Sequence, residues 1–179
     1  GRGRRQWRPG LPWPTDLFHH VWHRGLLEAW NVGFERWIWE LVCVPRMGWP
    51  EVHPSQWRCA MAKARAFSLP GSLDKAGAVL STKVRKGEDG RRLLTKFSMP
   101  RNPTKTDSRR RVYPMWTFDA SIVGTMKPAQ LKTYQQDVND SNALLTYNAT
   151  DIAAEAEISS LVPDIEGEEL EWWQVDQAI

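Results

Sequence analysis

The charges of this sequence are sorted by position, and that sorting limits what the chain can fold into more than any motif does. Residues 1–118 hold 22 Lys and Arg against 9 Asp and Glu, whereas residues 119–179 hold 2 Lys against 12 Asp and Glu. A formal net charge of +3 conceals the split. A basic stretch of that length repels itself unless a polyanion or the chain's own acidic part lies against it. Either the two parts neutralise each other within one fold, or each sign meets a different outside surface. The second is favoured, because many of the cations sit in extended segments that cannot fold alone.

Proline marks those segments. Residues 1–14 read as a basic arm, with Arg2, Arg4, Arg5, Arg8, Trp7 and Trp13 set among Pro9, Pro12 and Pro14. Proline forbids a regular ladder there, so the arm is expected to order on a polyanion. Residues 15–69 read as a Trp-rich helical region. Its first helix opens at Pro14–Thr15 and closes at Pro45. Phe18, Val21, Trp22, Gly25 and Ala29 fall on one face of it, and Leu27, Trp30, Phe34, Trp37, Ile38 and Leu41 on another about 100° away. Such a helix kinks near Asn31–Gly33 or is buried on several sides, with Trp39 opposite the second stripe. Ser55 can cap a further helix to Phe67, with Trp57, Ala60, Met61 and Ala64 on one face.

Residues 70–118 are expected to form a basic β-hairpin and then an Arg-rich linker. AVLSTKVRK and RRLLTKFSM flank Gly87-Glu88-Asp89-Gly90, which predicts the hairpin over 78–99. Alternation gathers Leu80, Thr82, Val84, Leu93, Thr95, Phe97 and Met99 on an apolar side, and Lys83, Arg85, Arg92 and Lys96 on a cationic one. Arg101, Lys105, Arg109, Arg110 and Arg111 come next, leading to Tyr113. Residues 119–179 read as an acidic helical region and tail. Pro128 starts a helix with Leu131, Tyr134, Val138 and Leu145 in a stripe to about Tyr147; Thr150 caps another, and Pro163 interrupts the chain beyond it. The expected fold class is α+β and mainly helical: a small helical core plus one β-hairpin, with basic arm, Arg-rich linker and acidic tail.

Eleven tryptophans are unusually many for 179 residues. Tryptophan concentrates in the buried centres of interfaces, so Trp22, Trp30, Trp37, Trp39, Trp172 and Trp173 are expected to meet protein neighbours. Catalytic signatures are lacking: no G-x-S-x-G elbow, phosphate loop, dinucleotide fingerprint or HExxH. Cys43 and Cys59 form no CxxC, which argues against a disulfide scaffold or thiolate zinc site. Pairing either with His53 as nucleophile and base is no better supported than any other such pair. Asp16, His19, His20 and His23 point within a third of a helix's circumference but lack a fourth ligand, so they read as a polar patch. No catalytic residue, metal or cofactor is expected, and the chain is read as non-enzymatic.

The cations carry the functional reading. Arg2, Arg4, Arg5, Arg8, Lys83, Arg85, Arg92, Lys96, Arg101, Lys105, Arg109, Arg110 and Arg111 can neutralise phosphates, and Trp7 can stack on a base. With no RNP consensus or GxxG clamp, structured RNA bound by shape is the expected partner. In character, though not in motif, this is similar to ribosomal and mitoribosomal proteins. The expected function is a structural, non-catalytic subunit of a large ribonucleoprotein, above all a mitochondrial ribosome, touching rRNA and several protein subunits but no small-molecule substrate. The alternative is an accessory subunit of a mitochondrial or chloroplast membrane-bound respiratory or photosynthetic complex. There the Trp stripes of 18–41 would lie at the lipid interface, against which Glu28, Glu35 and Glu40 count. No apolar run is long enough to span a bilayer. A start at Gly1 instead of Met suggests a processed product, hence a mitochondrial matrix location after presequence removal.

Overall fold

The computed structural model describes residues 5–8, 10–84, 90–103, 105, 115 and 118–176. It divides into two compact units, Gly1–Arg85 with Ile152–Ile179, and Lys86–Asp151.

The first unit is organised by a short parallel strand pair, β1 (Leu27–Ala29) and β2 (Trp57–Cys59), in the register Leu27↔Trp57 and Ala29↔Cys59. Parallel strands need a crossover. Here it runs through helix α2 (Val32–Ile38), a π-helical stretch (Trp39–Cys43) and α3 (Val44–Met47), while α1 (Thr15–Trp22) precedes β1. The long helix expected over 15–44 is therefore α1, a strand, and a second helical run that starts at Val32 and continues past Pro45 to Met47. The two misaligned apolar stripes belong to different elements. Long-range contacts fix the break: Gln56 donates from its amide to the carbonyls of Val21 (3.0 Å) and Gly25 (2.9 Å). Arg24 turns through φ 59°, and a Cβ at Gly25 would collide with the His20 ring. Downstream, the expected helix from Ser55 becomes a 3-10 turn (Pro54–Gln56), then β2, then α4 (Ala60–Ala66).

The helical run made of α2 and the π-helical stretch packs by the face opposite to the one its composition favours. Val32, Trp39 and Cys43 are buried, at i, i+7 and i+11, while Phe34, Trp37, Ile38 and Leu41 stay exposed. Val32 and Trp39 join Val21, Val52, Trp57 and Cys59 in one core cluster. Trp39 donates from Nε1 to the Pro50 carbonyl at 2.8 Å, and its ring meets Trp49 and Trp57 edge-on at 4.8 and 5.9 Å. A second cluster unites Trp30, Ala60, Ala64, Ala76, Ile158 and Val162. Lys63, buried beside it, pairs with Asp164 at 2.6 Å and donates to the Ser159 hydroxyl.

The predicted hairpin is not formed; helices stand on either side of its turn. They are α5 (Leu73–Val79) and α6 (Gly90–Ser98). On the first side, Ala76 is held in the second cluster, and the Glu157 carboxylate accepts the backbone N–H groups of Lys83 (2.9 Å) and Val84 (3.0 Å), donors a ladder would need. On the other side Gly90, Leu93 and Phe97 recur at helical spacing, and Leu93 packs with Leu144 and Tyr147. A Cβ at Gly90 would fall inside the Tyr147 ring, so this glycine serves close approach, not a hairpin turn. Glu88 and Asp89 lie outside the described residues. The mainly helical class stands, with a two-stranded parallel sheet in place of the hairpin.

The remaining elements are α7 (Ala120–Val123), α8 (Pro128–Leu161) and α9 (Gly167–Asp176). Helix α8 is continuous through the expected break at Thr150, and buries Tyr134 and Val138 of the predicted stripe. Among the described residues no helix is long and apolar enough to cross a membrane.

Candidate nucleic-acid interface

The candidate cations divide into paired and solvent-facing groups. Arg5 reaches Asp16 at 2.7 Å with both side chains exposed, a pair of little energetic weight. Arg8 is half-buried and Lys83 exposed at the end of the α5 turn. Trp7 is packed inside the protein's own aromatic cluster: it stacks on Trp13 (6.1 Å), meets Trp49 edge-on (5.0 Å) and donates to the Pro12 carbonyl. The ring is half-buried in that cluster.

In the second unit Arg92 and Lys96 do not form an open cationic face. Lys96 Nζ lies 2.6 Å from Asp137 and 2.7 Å from Asp140, and Arg92 reaches Asp140 at 3.3 Å. Gln136 adds a hydrogen bond to Asp140 at 3.1 Å. Burial alone would push the Asp140 carboxyl up, but hydrogen bonds from Lys96, Arg92 and Gln136 outweigh it and hold the group below its ordinary range. For Lys96, burial lowers and the two aspartates raise, with a net rise. The sequence shows no sign of this cluster, because Asp137 and Asp140 come from α8 and the cations from α6. Arg101 is half-buried and Lys105 exposed. Arg2, Arg4, Arg85, Arg109, Arg110 and Arg111 lie outside the described residues.

The six singled-out tryptophans are used differently. Trp30 and Trp39 are core side chains, Trp30 donating to the Gly71 carbonyl at 3.0 Å. Trp173 is half-buried against the first core cluster. Trp22, Trp37 and Trp172 are exposed. Trp172 stands at a cleft of about 550 Å³ in the first unit, lined also by Asn31, Arg65, Ile165, Glu169 and Trp173. Its guanidinium, carboxamide and 72% exposed indole offer a cation, a hydrogen-bonding edge and a stacking surface. Sequence reading missed this cleft because α9 and α4 are about a hundred residues apart.

The histidine patch lines another cleft, of about 790 Å³. Its nitrogens are engaged locally: His23 Nδ1 contacts the His19 carbonyl at 2.7 Å and His20 Nε2 the Leu26 carbonyl at 3.0 Å. Among the described residues no His, Cys, Asp and Glu group is arranged to hold a metal ion. Cys43 and Cys59 are buried, and burial pushes the Cys43 thiol up, away from nucleophilic character. Cys59 instead caps α4 by accepting the Ala62 N–H. Asp151 Oδ1 is enclosed without a hydrogen-bond partner, a carboxylate the sequence does not single out.

Over 82 residues, 46% of its length, the chain is 34% identical to the DNA polymerase of Bacillus phage SP02; the match takes in 12% of that polymerase. No protein-family model matches the chain, and no solved structure matches it. The polymerase likeness overturns the mitochondrial ribosomal subunit, the membrane-complex alternative and the non-enzymatic reading, since the named relative is an enzyme of DNA. The error has a physical source: cations neutralise the phosphates of either nucleic acid and carry no information on which one is bound.

Proposed function

We propose that this chain is a DNA-handling part of a DNA-polymerase-type protein, holding DNA through its basic segments and seating a single-stranded base at the Trp172 cleft. The likeness to the phage polymerase carries this reading. The cleft supports it chemically: Trp172 offers a face to any base, Arg65 attracts phosphate, and Asn31 presents an amide to a base edge or sugar. The solvent-facing Lys83 and Lys105, with the arginines of the 101–111 segment, supply sequence-independent attraction. Arg92 and Lys96 are engaged by carboxylates and contribute less.

Binding of a fluorescently labelled primer–template to the purified chain tests the reading. With about four or five cations reaching phosphate, log K is expected to fall with log salt at a slope of about −4. Trp172→Ala is expected to weaken binding of a single-stranded overhang about tenfold, the worth of one stacked base, while a blunt duplex is barely affected. Equal loss on both DNAs would remove the cleft from the reading. No binding of either at low salt would remove DNA altogether.

A further inference from the structure

The Trp172 cleft contains one group that a site built only to hold a strand would leave out. Glu169 stands on α9 at i−3 from Trp172, so carboxylate and indole share a side of that helix, and both line the cleft. An ionised carboxylate accepts hydrogen bonds and donates none. It repels the phosphates of any strand, with Arg65 the one cation among the described residues that line the cleft. That repulsion is offset only by a ligand that brings donors, which makes the carboxylate a selector and not a general grip.

The groups around it are placed by the fold. Asn31 occupies the N-cap position of α2, yet its side chain makes no capping hydrogen bond, and it lines the cleft instead. The Arg65 guanidinium lies over Gly71, in the space that a Cβ there would take. Much of the remaining lining is apolar, with Met61, Ala62, Ala66 and Ile165, as suits the flat face of a base.

We infer that the Trp172 cleft reads guanine: the Glu169 carboxylate accepts from N1–H and N2–H of a single-stranded guanine stacked on Trp172, and the Asn31 carboxamide donates to its O6. The inference rests on the function proposed above and names the base that this site takes. Guanine is selected because its Watson–Crick edge carries two donor nitrogens side by side, the match for the two oxygens of a carboxylate. Adenine, cytosine and thymine each present one donor nitrogen there, beside an acceptor atom that the carboxylate repels.

The test uses the purified 179-residue chain and a fluorescent duplex with an all-thymine overhang, in which one base is varied position by position. At the seated position guanine is expected to bind about tenfold tighter than adenine, cytosine or thymine, the worth of one bidentate pair. Hypoxanthine, which keeps N1–H but lacks the N2 amine, is expected to fall between. Glu169→Gln is expected to bring guanine down to the level of adenine, while the all-thymine overhang binds at least as well as before, which shows that the variant is folded. Equal affinity for all four bases, or a guanine preference that survives Glu169→Gln, would overturn the inference. Trp172→Ala separates the two claims. Overhang binding that depends on Trp172 without a base preference sinks the guanine assignment alone, whereas overhang binding indifferent to Trp172 sinks the cleft itself.

Discussion

Trp39→Ala is expected to cost the first unit about 4 kcal/mol, whereas Trp37→Ala in the same 179-residue chain costs less than about 1 kcal/mol. The two tryptophans lie two residues apart and differ only in direction. Trp39 is 9% exposed, fills the space between Val32, Val52 and Trp57, and hydrogen-bonds the Pro50 carbonyl. Removing the indole leaves a cavity among side chains held by β1 and β2, and strands an acceptor. Trp37 has no such enclosure. Hydrogen-exchange protection over residues 27–59 reads the difference within the first unit alone. Comparable losses at both positions would mean that α2 packs by its other face.

Lys96→Met is the second large effect, confined to the other unit. Lys96 is the cation shared by Asp137 and Asp140, whose side chains are 16% and 7% exposed. Without it two enclosed carboxylates face each other with only Arg92 and Gln136 left on Asp140, a loss of about 3 kcal/mol at neutral pH. The pH dependence has a definite sign. Asp140 is held below its ordinary range, so its contribution is present above the unfolded carboxyl value and fades as pH falls through the folded one. Lys96 is raised, so its contribution is intact at neutral pH and is lost only as pH rises through its folded value. The deficit of Lys96→Met is therefore expected to be widest near pH 7 and to shrink in acid as pH falls through the lowered Asp140 value, where its protonated carboxyl no longer needs the ammonium. Denaturant melts of wild type and variant across that range measure it. A deficit independent of pH would assign Lys96 a packing role instead.

Legibility in the sequence tracks the range of the interactions concerned. Helical content, the start of a helix at Pro128 and the helix-forming stripe of Tyr134 and Val138 depend on neighbours a few residues away, and these were legible. The hairpin was not, because Leu93, Thr95 and Phe97 satisfy a strand's alternation as well as Leu93 and Phe97 satisfy a helix. The choice fell to Tyr147, more than fifty residues on, which fills the space a Cβ at Gly90 would need. The inward face of the 32–43 helical run was left open for a similar reason: counting apolar residues favours Phe34, Trp37, Ile38 and Leu41, but Val32 and Trp39 pack inward with Trp57 beside the Leu27↔Trp57 strand pair. In the candidate site, the cationic character was visible, but neither its internal carboxylate partners nor the identity of the polyanion was. Asp137, Asp140 and Asp16 come to Lys96, Arg92 and Arg5 only through tertiary packing.

That identity is the claim on which the rest depends, and competition measures it most directly. The purified chain, bound to a labelled primer–template at fixed salt, is challenged with unlabelled primer–template DNA or with a structured rRNA fragment of equal length. DNA is expected to displace the label at least as well as the rRNA, nucleotide for nucleotide. Displacement by the rRNA at a tenfold lower concentration would contradict a role on DNA.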